Sequence, residues 1–395
     1  MRRRADLGRR TRCCCRSRTR RSERTGGSPR IPATEPDSES FEEASLTHRW
    51  FVVVAAAACH DGSAGLPPPA TPAPAPDVHV QGNQFVDTAG RPLRLRGVNR
   101  SGAEYACAQG WGIFDGPSDS ASVAAIASWR ANVVRLPLNE TCWLGINGVT
   151  AAYAGANYQR AIADYVGRLN RAGQVVILDL HWTAADTAKA LAQAPMPNRD
   201  HTPEFWRQVA SAYGHNNAVI FDLFNEPFPD SNADTPEAWR CWRDGGTCRG
   251  MGFQAAGMQE LVSAVRGTGA TNVIMLGGVQ YAATLSQWLA NQPTDPLNNL
   301  AASWHVYNFS WCHIKSCWDG EAAPVAQRVP LVLGELGQND RGRTFVDSLM
   351  DWMDARTGSY LAWTWDVWGS VWDLIQSYDG TPTAYGAAFK ARFAS

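Results

Sequence analysis

Eight short runs of apolar, largely β-branched residues recur between residues 93 and 366, and helical stretches fall between them. They are LRLRGVN (93–99), NVVRLPL (132–138), QVVILDLH (174–181), VIFDLFNE (219–226), NVIMLGG (272–278), LAASWHVY (300–307), VPLVLGELG (329–337) and SYLAWTWD (359–366). Strands buried on both faces read as near-continuous apolar runs, and alternation with helices implies a parallel sheet. Eight such units are the number that closes an α/β fold of the (β/α)8 TIM-barrel type. Between the second and third runs, YQRAIADYVGRLNRAG (158–173) carries apolar residues at helical spacing and ends in a Gly suited to a C-cap. The stretch DVHVQGNQFVDTAGRPL, ahead of the first run, reads as a small hairpin covering the barrel bottom. Residues 77–395 are thus accounted for as one domain.

The fourth run avoids charge for most of its length and then delivers Asn225 and Glu226 side by side, with Pro227 behind them. In barrel proteins the chemistry sits where the strands stop. The other exits present Arg135, His181, His305, Tyr307, Glu335, Trp363 and Trp365. Residues two apart on a strand share a face, so Asp179 lies with His181 and Asp222 with Glu226. Both aspartates are expected inside the barrel as structural partners of Arg or backbone donors, outside the site. Glu226 and Glu335 end the fourth and seventh runs, and closure of a barrel brings them to opposite walls of one mouth. Two facing carboxyls are what glycosidic cleavage requires: one protonates the leaving oxygen, and the other attacks or stabilises the anomeric carbon.

With FNEP, LGELG, LDLHW, WHVYNF and VVRLPL in this strand order, the chain resembles glycoside hydrolase family 5, the cellulase-like retaining β-glycosidases. The resemblance spans the whole barrel. It implies that Glu226 is the general acid/base and Glu335 the nucleophile, with their carboxyls about 5–5.5 Å apart. It also implies a substrate-binding set of Arg135, His181, Asn225, His305, Tyr307 and Trp363. Within that set Asn225 would bond the sugar 2-hydroxyl, and Trp363 would form the floor under the sugar. Arg135 and Tyr307 would favour the ionised Glu335, and the two histidines would bind hydroxyls or orient the acids. No metal and no organic cofactor are expected. The partner is a carbohydrate, and the chain is expected to act as a monomer. Endo-acting cleavage of a β-1,4-glucan or mannan is the favoured reading. The alternatives are an exo-acting or glycolipid hydrolase of the same family, or a non-catalytic glycan-binding barrel.

Hydrophobic content of 45% with 18% charge suits a chain with a real core rather than a disordered one. Residues 1–30 hold twelve Arg against Asp6 and Glu23, so the net charge of −1 leaves the rest of the chain at −11, which argues against a nucleic-acid partner. Residues 1–47 read as a basic leader, either disordered or never translated. Residues 48–59, with Arg49 ahead of a short apolar core, read as a signal peptide. Ala56–Cys59 resembles a bacterial lipoprotein box with Ala where Leu is preferred, so lipidation of Cys59 and plain secretion both stand open. A secreted or extracytoplasmic protein follows, anchored at the cell surface if Cys59 is acylated. Residues 60–76 are Pro-rich and suit a stiff spacer.

Six cysteines remain beyond the spacer, and an even count after an export signal favours disulfides. They allow fifteen connectivities. Sequence proximity suggests Cys241 with Cys248 and Cys312 with Cys317, leaving Cys107 for Cys142. A metal reading of Cys312, His313 and Cys317 lacks the usual C-x2-C spacing. Of the 17 tryptophans, Trp111, Trp143, Trp182, Trp304, Trp311, Trp318, Trp365, Trp368 and Trp372 fall at or beyond strand exits, where about a third are expected to stack on glycan.

Overall fold

Residues 73–395 are described by the computed structural model. The leader, the signal peptide and the spacer up to residue 72 lie outside the described residues. The eight runs become β1 (Arg96–Asn99), β2 (Val133–Asn139), β3 (Val175–Trp182), β4 (Val219–Asp222), β5 (Ile274–Gly277), β6 (Leu300–Tyr307), β7 (Leu331–Gly337) and β8 (Ser359–Ala362). All pair in parallel in chain order, and β8 closes on β1 to complete the barrel.

Period-two alternation explains why the runs are apolar throughout. Val134, Leu136 and Leu138 of β2, with Val176, Leu178 and Leu180 of β3, belong to the core shared with the surrounding helices. Their neighbours Val133, Val175 and Ile177 join Ile220, Met275 and Val332 in a separate inner core. Full burial of each such side chain stabilises the fold by about 1.5–3 kcal/mol. The helix Ala156–Arg171 shows the outer layer's logic: Tyr158, Ile162, Tyr165, Val166 and Leu169 are its buried stripe. It ends because Gly173, at φ +84°, takes a left-handed conformation that a side chain would resist.

The expected hairpin at the barrel bottom is a three-stranded antiparallel sheet of His79–Gln81, Gln84–Val86 and Pro92–Leu93. Val78, Phe85 and Leu95 join the inner core, so this end is plugged with apolar side chains. Leu93 therefore belongs to the plug, and β1 starts only at Arg96. The fourth and eighth strands are also shorter than their sequence runs. Beyond β4 the chain keeps two bonds to its neighbours, Leu223 N–H to Met275 O at 3.1 Å and Asn225 N–H to Leu180 O at 3.0 Å. These hold the Asn225–Glu226 exit in place without a regular ladder.

The cysteines pair as expected: Cys107–Cys142, Cys241–Cys248 and Cys312–Cys317, with Cα separations of 6.0, 5.7 and 5.4 Å. Bonded to each other, Cys312 and Cys317 offer no thiolate to a metal. Cys107–Cys142 ties the loops beyond neighbouring strands β1 and β2 across a sequence separation of 35. Replacing both residues by Ala should lower stability by about 3 kcal/mol, read as the midpoint shift in denaturant unfolding. An unchanged midpoint would show that this closure does not constrain the unfolded chain.

Four of the nine exit tryptophans, Trp143, Trp304, Trp318 and Trp365, are buried in the core, which leaves five for the surface of the mouth. Tryptophan here also caps strand ends from the helix layer. The indole N–H of Trp206 donates to Leu223 O, that of Trp242 to Gly277 O and that of Trp288 to Leu276 O, while Trp304, on β6 itself, donates to Ala283 O in the turn beyond β5, all at 2.8–3.0 Å. A large ring with one donor can fill space and satisfy a strand-end carbonyl at once.

Candidate active site

Above the apolar plug the barrel interior turns charged. Strand register sets Asn99 beside Arg135, and Asp179 beside Asp222. Arg135 is wholly buried and reaches across the barrel. Its Nε donates to Asp222 Oδ2 at 2.9 Å, and its Nη2 donates to Asn225 Oδ1 at 2.8 Å and lies 3.0 Å from Asp179 Oδ1. Its Nη1 donates to Glu335 Oε1 at 2.8 Å and to Asn99 Oδ1 at 3.1 Å. Burial works against the guanidinium charge, but Asp179, Asp222 and Glu335 outweigh it and hold Arg135 charged. One cation cannot serve three carboxyls equally, and burial pushes Asp222 up to about 7. Asp179 and Asp222 are thus the buried partners expected of them. Arg135 differs from its expected place among substrate-binding residues: it lies beneath the cleft, where its planar fork orients other groups.

The two glutamates face each other above this layer. Glu335 accepts the Arg135 bond on Oε1 and the Tyr307 hydroxyl on Oε2 at 2.6 Å. Burial, and then Glu335 itself, keep that hydroxyl protonated as a donor. Glu226 Oε1 lies 3.0 Å from His305 Nδ1, and its Oε2 accepts from Gln193 Nε2 at 2.9 Å. Burial raises the Glu226 carboxyl above the usual carboxylate range, the Gln193 bond opposing it. Burial also pushes His305 down to about 4, so this ring is neutral at neutral pH. His305 Nδ1 stands 3.6 Å from Glu335 Oε1 as well, and one ligand atom from each of Glu226, His305 and Glu335 falls within 4.8 Å of the others. That spacing would also suit a small cation. The four carboxyl oxygens, however, already have Gln193, His305, Tyr307 and Arg135 at hydrogen-bonding distance.

On the rim, His181 Nδ1 sits 2.6 Å from Asp179 Oδ2, and its ring stacks on Trp363 at 5.7 Å with 9° between planes. Burial opposes the imidazolium, but Asp179, with Glu104 and Glu335, outweighs it and raises the His181 pKa. His181, Glu226, Tyr307, Glu335 and Trp363 line a cleft of about 560 Å³. Asn225 and His305 are buried beside it, each with one nitrogen unpartnered: Asn225 Nδ2, because Arg135 holds its oxygen, and His305 Nε2.

Sequence reasoning missed several cleft residues: Gln193, Asn232, Gln280, Tyr281 and Phe309. Asn232 ends the short helix Pro229–Asn232 and the others stand on loops, where no periodicity marks which side chain turns inward. Phe228 stacks on Tyr281 at 4.5 Å, and Phe309 stacks on Tyr307 at 5.4 Å. Trp311, 70% exposed, and Trp372 complete this side. Across the barrel, Tyr105 gathers Trp111, Trp182 and Trp368 at 5.9–6.2 Å, and the Trp368 indole donates to the Tyr105 hydroxyl at 3.0 Å. Tyr105 and Trp111 follow β1, Trp182 ends β3 and Trp368 follows β8, whereas Tyr281 follows β5, and Phe309 and Trp311 follow β6. In a closed eight-stranded barrel, β1 and β5 stand on opposite sides.

An eight-stranded barrel with two carboxyls facing across its open mouth and aromatic rings around them defines a glycosidase that acts on polysaccharides. Residues 86–369 match the sequence model of Cellulase (glycosyl hydrolase family 5), and the chain belongs to that family. It is 23% identical over 310 residues to a mannan endo-1,4-beta-mannosidase of Salipaludibacillus agaradhaerens, covering 75% of this chain and 84% of that protein. It is 30% identical over 222 residues to the manganese dependent endoglucanase Eg5A of Phanerodontia chrysosporium, covering 53% of this chain but only 51% of that protein. The fold matches the beta-glucanase SdGluc5_26A of Saccharophagus degradans in complex with cellotetraose, with a TM-score of 0.64 at 20% identity, over 85% of this chain and 99% of that one.

Proposed function

We propose that the chain is a secreted, retaining endo-β-1,4-glycanase that cleaves the backbone of a glucan or mannan. The facing carboxyl pair carries the reading. One oxygen of each glutamate lies within 4.8 Å of the other. Retaining enzymes hold these groups about 5–5.5 Å apart, whereas inverting enzymes need about 6.5–9.5 Å to admit a water. Glu226, its carboxyl raised by burial towards the neutral form, gives its proton to the glycosidic oxygen as the C–O bond breaks, while Glu335 bonds to the anomeric carbon. Water then attacks that carbon, its proton passing to Glu226, and Glu335 leaves. Asn225 Nδ2, buried and without a partner, is the donor for the sugar 2-hydroxyl. His181 and Trp363 hold the sugar being cleaved, and His305 orients the pair.

Endo action is supported by aromatic rings on two opposite arcs of the mouth, which would bind sugars on either side of the cleaved bond. The β-1,4-glucan or mannan class is supported by the relatives, which include a mannan endo-1,4-beta-mannosidase and an endoglucanase. Export is supported by the three disulfides, which form and persist in oxidising compartments. Among the described residues no helix is long and apolar enough to cross a membrane.

Digestion of cello- and manno-hexaose, with products followed over time, tests the reading. Internal cleavage into di-, tri- and tetrasaccharides is expected. Release of terminal monosaccharide alone, or cleavage only of a lipid-linked sugar, would replace it with the exo or glycolipid alternative. Trp311→Ala, at a site exposed enough to tolerate the change, should raise KM for polymer about tenfold while hardly affecting a short aryl glycoside. Equal effects on both would remove Trp311 from the substrate path.

A further inference from the structure

Gln193 stands on the long segment 183–201 between β3 and the helix Thr202–Tyr213, and that segment is fastened on both sides of it. Before Gln193, Ala190 O accepts from Asn139 Nδ2 at 2.8 Å. After it, Pro195 O accepts from Phe228 N at 2.9 Å and Pro197 O from Ala256 N at 2.9 Å. Asn198 Nδ2 donates to the buried Glu140 at 2.7 Å, and Met196 is fully buried. The half-buried Gln193 is thus held at a defined place, and its amide bonds one oxygen of the Glu226 carboxyl.

We propose that Gln193 is a positioning residue for Glu226: its amide N–H fixes the carboxyl's orientation and favours the charge that Glu226 acquires on giving its proton to the leaving group. A hydrogen bond to a carboxylate is about twice as strong as one to a neutral acid, so the bond tightens as the proton leaves. Gln193 thereby makes Glu226 a stronger acid than its burial alone would allow, and the long strap becomes part of the acid's machinery. Other groups act on Glu226 from every wall: His305 from β6, Glu335 from β7, Asp179 and His181 from β3, Arg135 from β2, and the Tyr307 hydroxyl. Gln193 alone among these comes from a loop and carries neither charge nor titration of its own.

The inference rests on Glu226 as the acid. The test is the pH profile of kcat/KM for a cello-oligosaccharide and for a dinitrophenyl cellobioside, in the wild type, Gln193→Ala, Gln193→Lys and Glu226→Gln. Glu226 must be protonated to act on the oligosaccharide, so activity falls as pH rises through its pKa. Gln193→Ala removes a donor that favours the anion: this basic limb should move up by about one pH unit, with kcat on the oligosaccharide falling about tenfold. The dinitrophenyl substrate, which needs little protonation, should lose much less. Gln193→Lys supplies a cation at the same place and should move the limb downward. Limbs unmoved in both Gln193 variants, with the limb lost in Glu226→Gln, would overturn the role of Gln193 and leave the acid assignment standing. A limb that persists in Glu226→Gln would overturn the assignment of the acid itself.

Discussion

Glu335→Ala should lower turnover of every β-glycoside by about four orders of magnitude or more, since no covalent intermediate can form without the carboxylate. The loss is expected to be uniform across leaving groups because it falls on the bond to carbon, not on proton transfer. Added azide should restore part of the activity by entering the vacated space beside Arg135 and Tyr307, both of which bond the Glu335 carboxyl. Azide then displaces the aglycone in a single step, so the rescued product is a glycosyl azide of inverted configuration, read by NMR of its anomeric proton. A non-catalytic glycan-binding barrel would give no product with either protein.

Glu226→Ala should behave differently. With an unactivated oligosaccharide the leaving oxygen goes unprotonated, and the loss should be about 10²–10⁴-fold, the usual range for a positioned acid. A dinitrophenyl glycoside leaves without help, so the first step survives and the glycosyl-enzyme on Glu335 accumulates as a burst of dinitrophenolate. Azide, which needs no general base, should release that intermediate as a product of retained configuration. Inverted azide product from Glu226→Ala, or retained product from Glu335→Ala, would exchange the two roles. The different roles predicted for the two glutamates rest on their hydrogen bonds: Glu226 meets Gln193 and a neutral His305, whereas Glu335 takes Arg135 and the Tyr307 hydroxyl on its two oxygens.

The facing of Glu226 and Glu335 was readable because the barrel rule is strict. A run buried on both faces cannot end in Asn225 and Glu226 without a reason, and closure places all eight exits at one mouth. The cysteine pairs were readable because Cys241–Cys248 and Cys312–Cys317 are close in sequence and the third pair follows neighbouring strands. Arg135 was harder to place: its position on β2 could be read from alternation, but only side-chain reach shows it beneath the cleft rather than in it. The tryptophans divided for a similar reason. Trp304 and Trp311 stand seven residues apart around one exit, yet one is buried and caps Ala283 O while the other is mostly exposed.

Apolar period, strand number and the residue at each exit are local properties of the chain. By themselves they determined a (β/α)8 barrel with two glutamates at one mouth, because hydrogen-bonded closure leaves strands little freedom in where their ends lie; for the cysteines, proximity favoured one of fifteen connectivities, and the structure shows it. Gln193 on Glu226, the Tyr105 aromatic cluster and the burial that raises Glu226 depend on loop paths between distant residues. A loop's path follows from contacts spread over the whole fold, such as Ala190 with Asn139 and Pro195 with Phe228. Only the tertiary structure decides them, since no spacing within a loop records which side chain its anchors will turn toward the substrate.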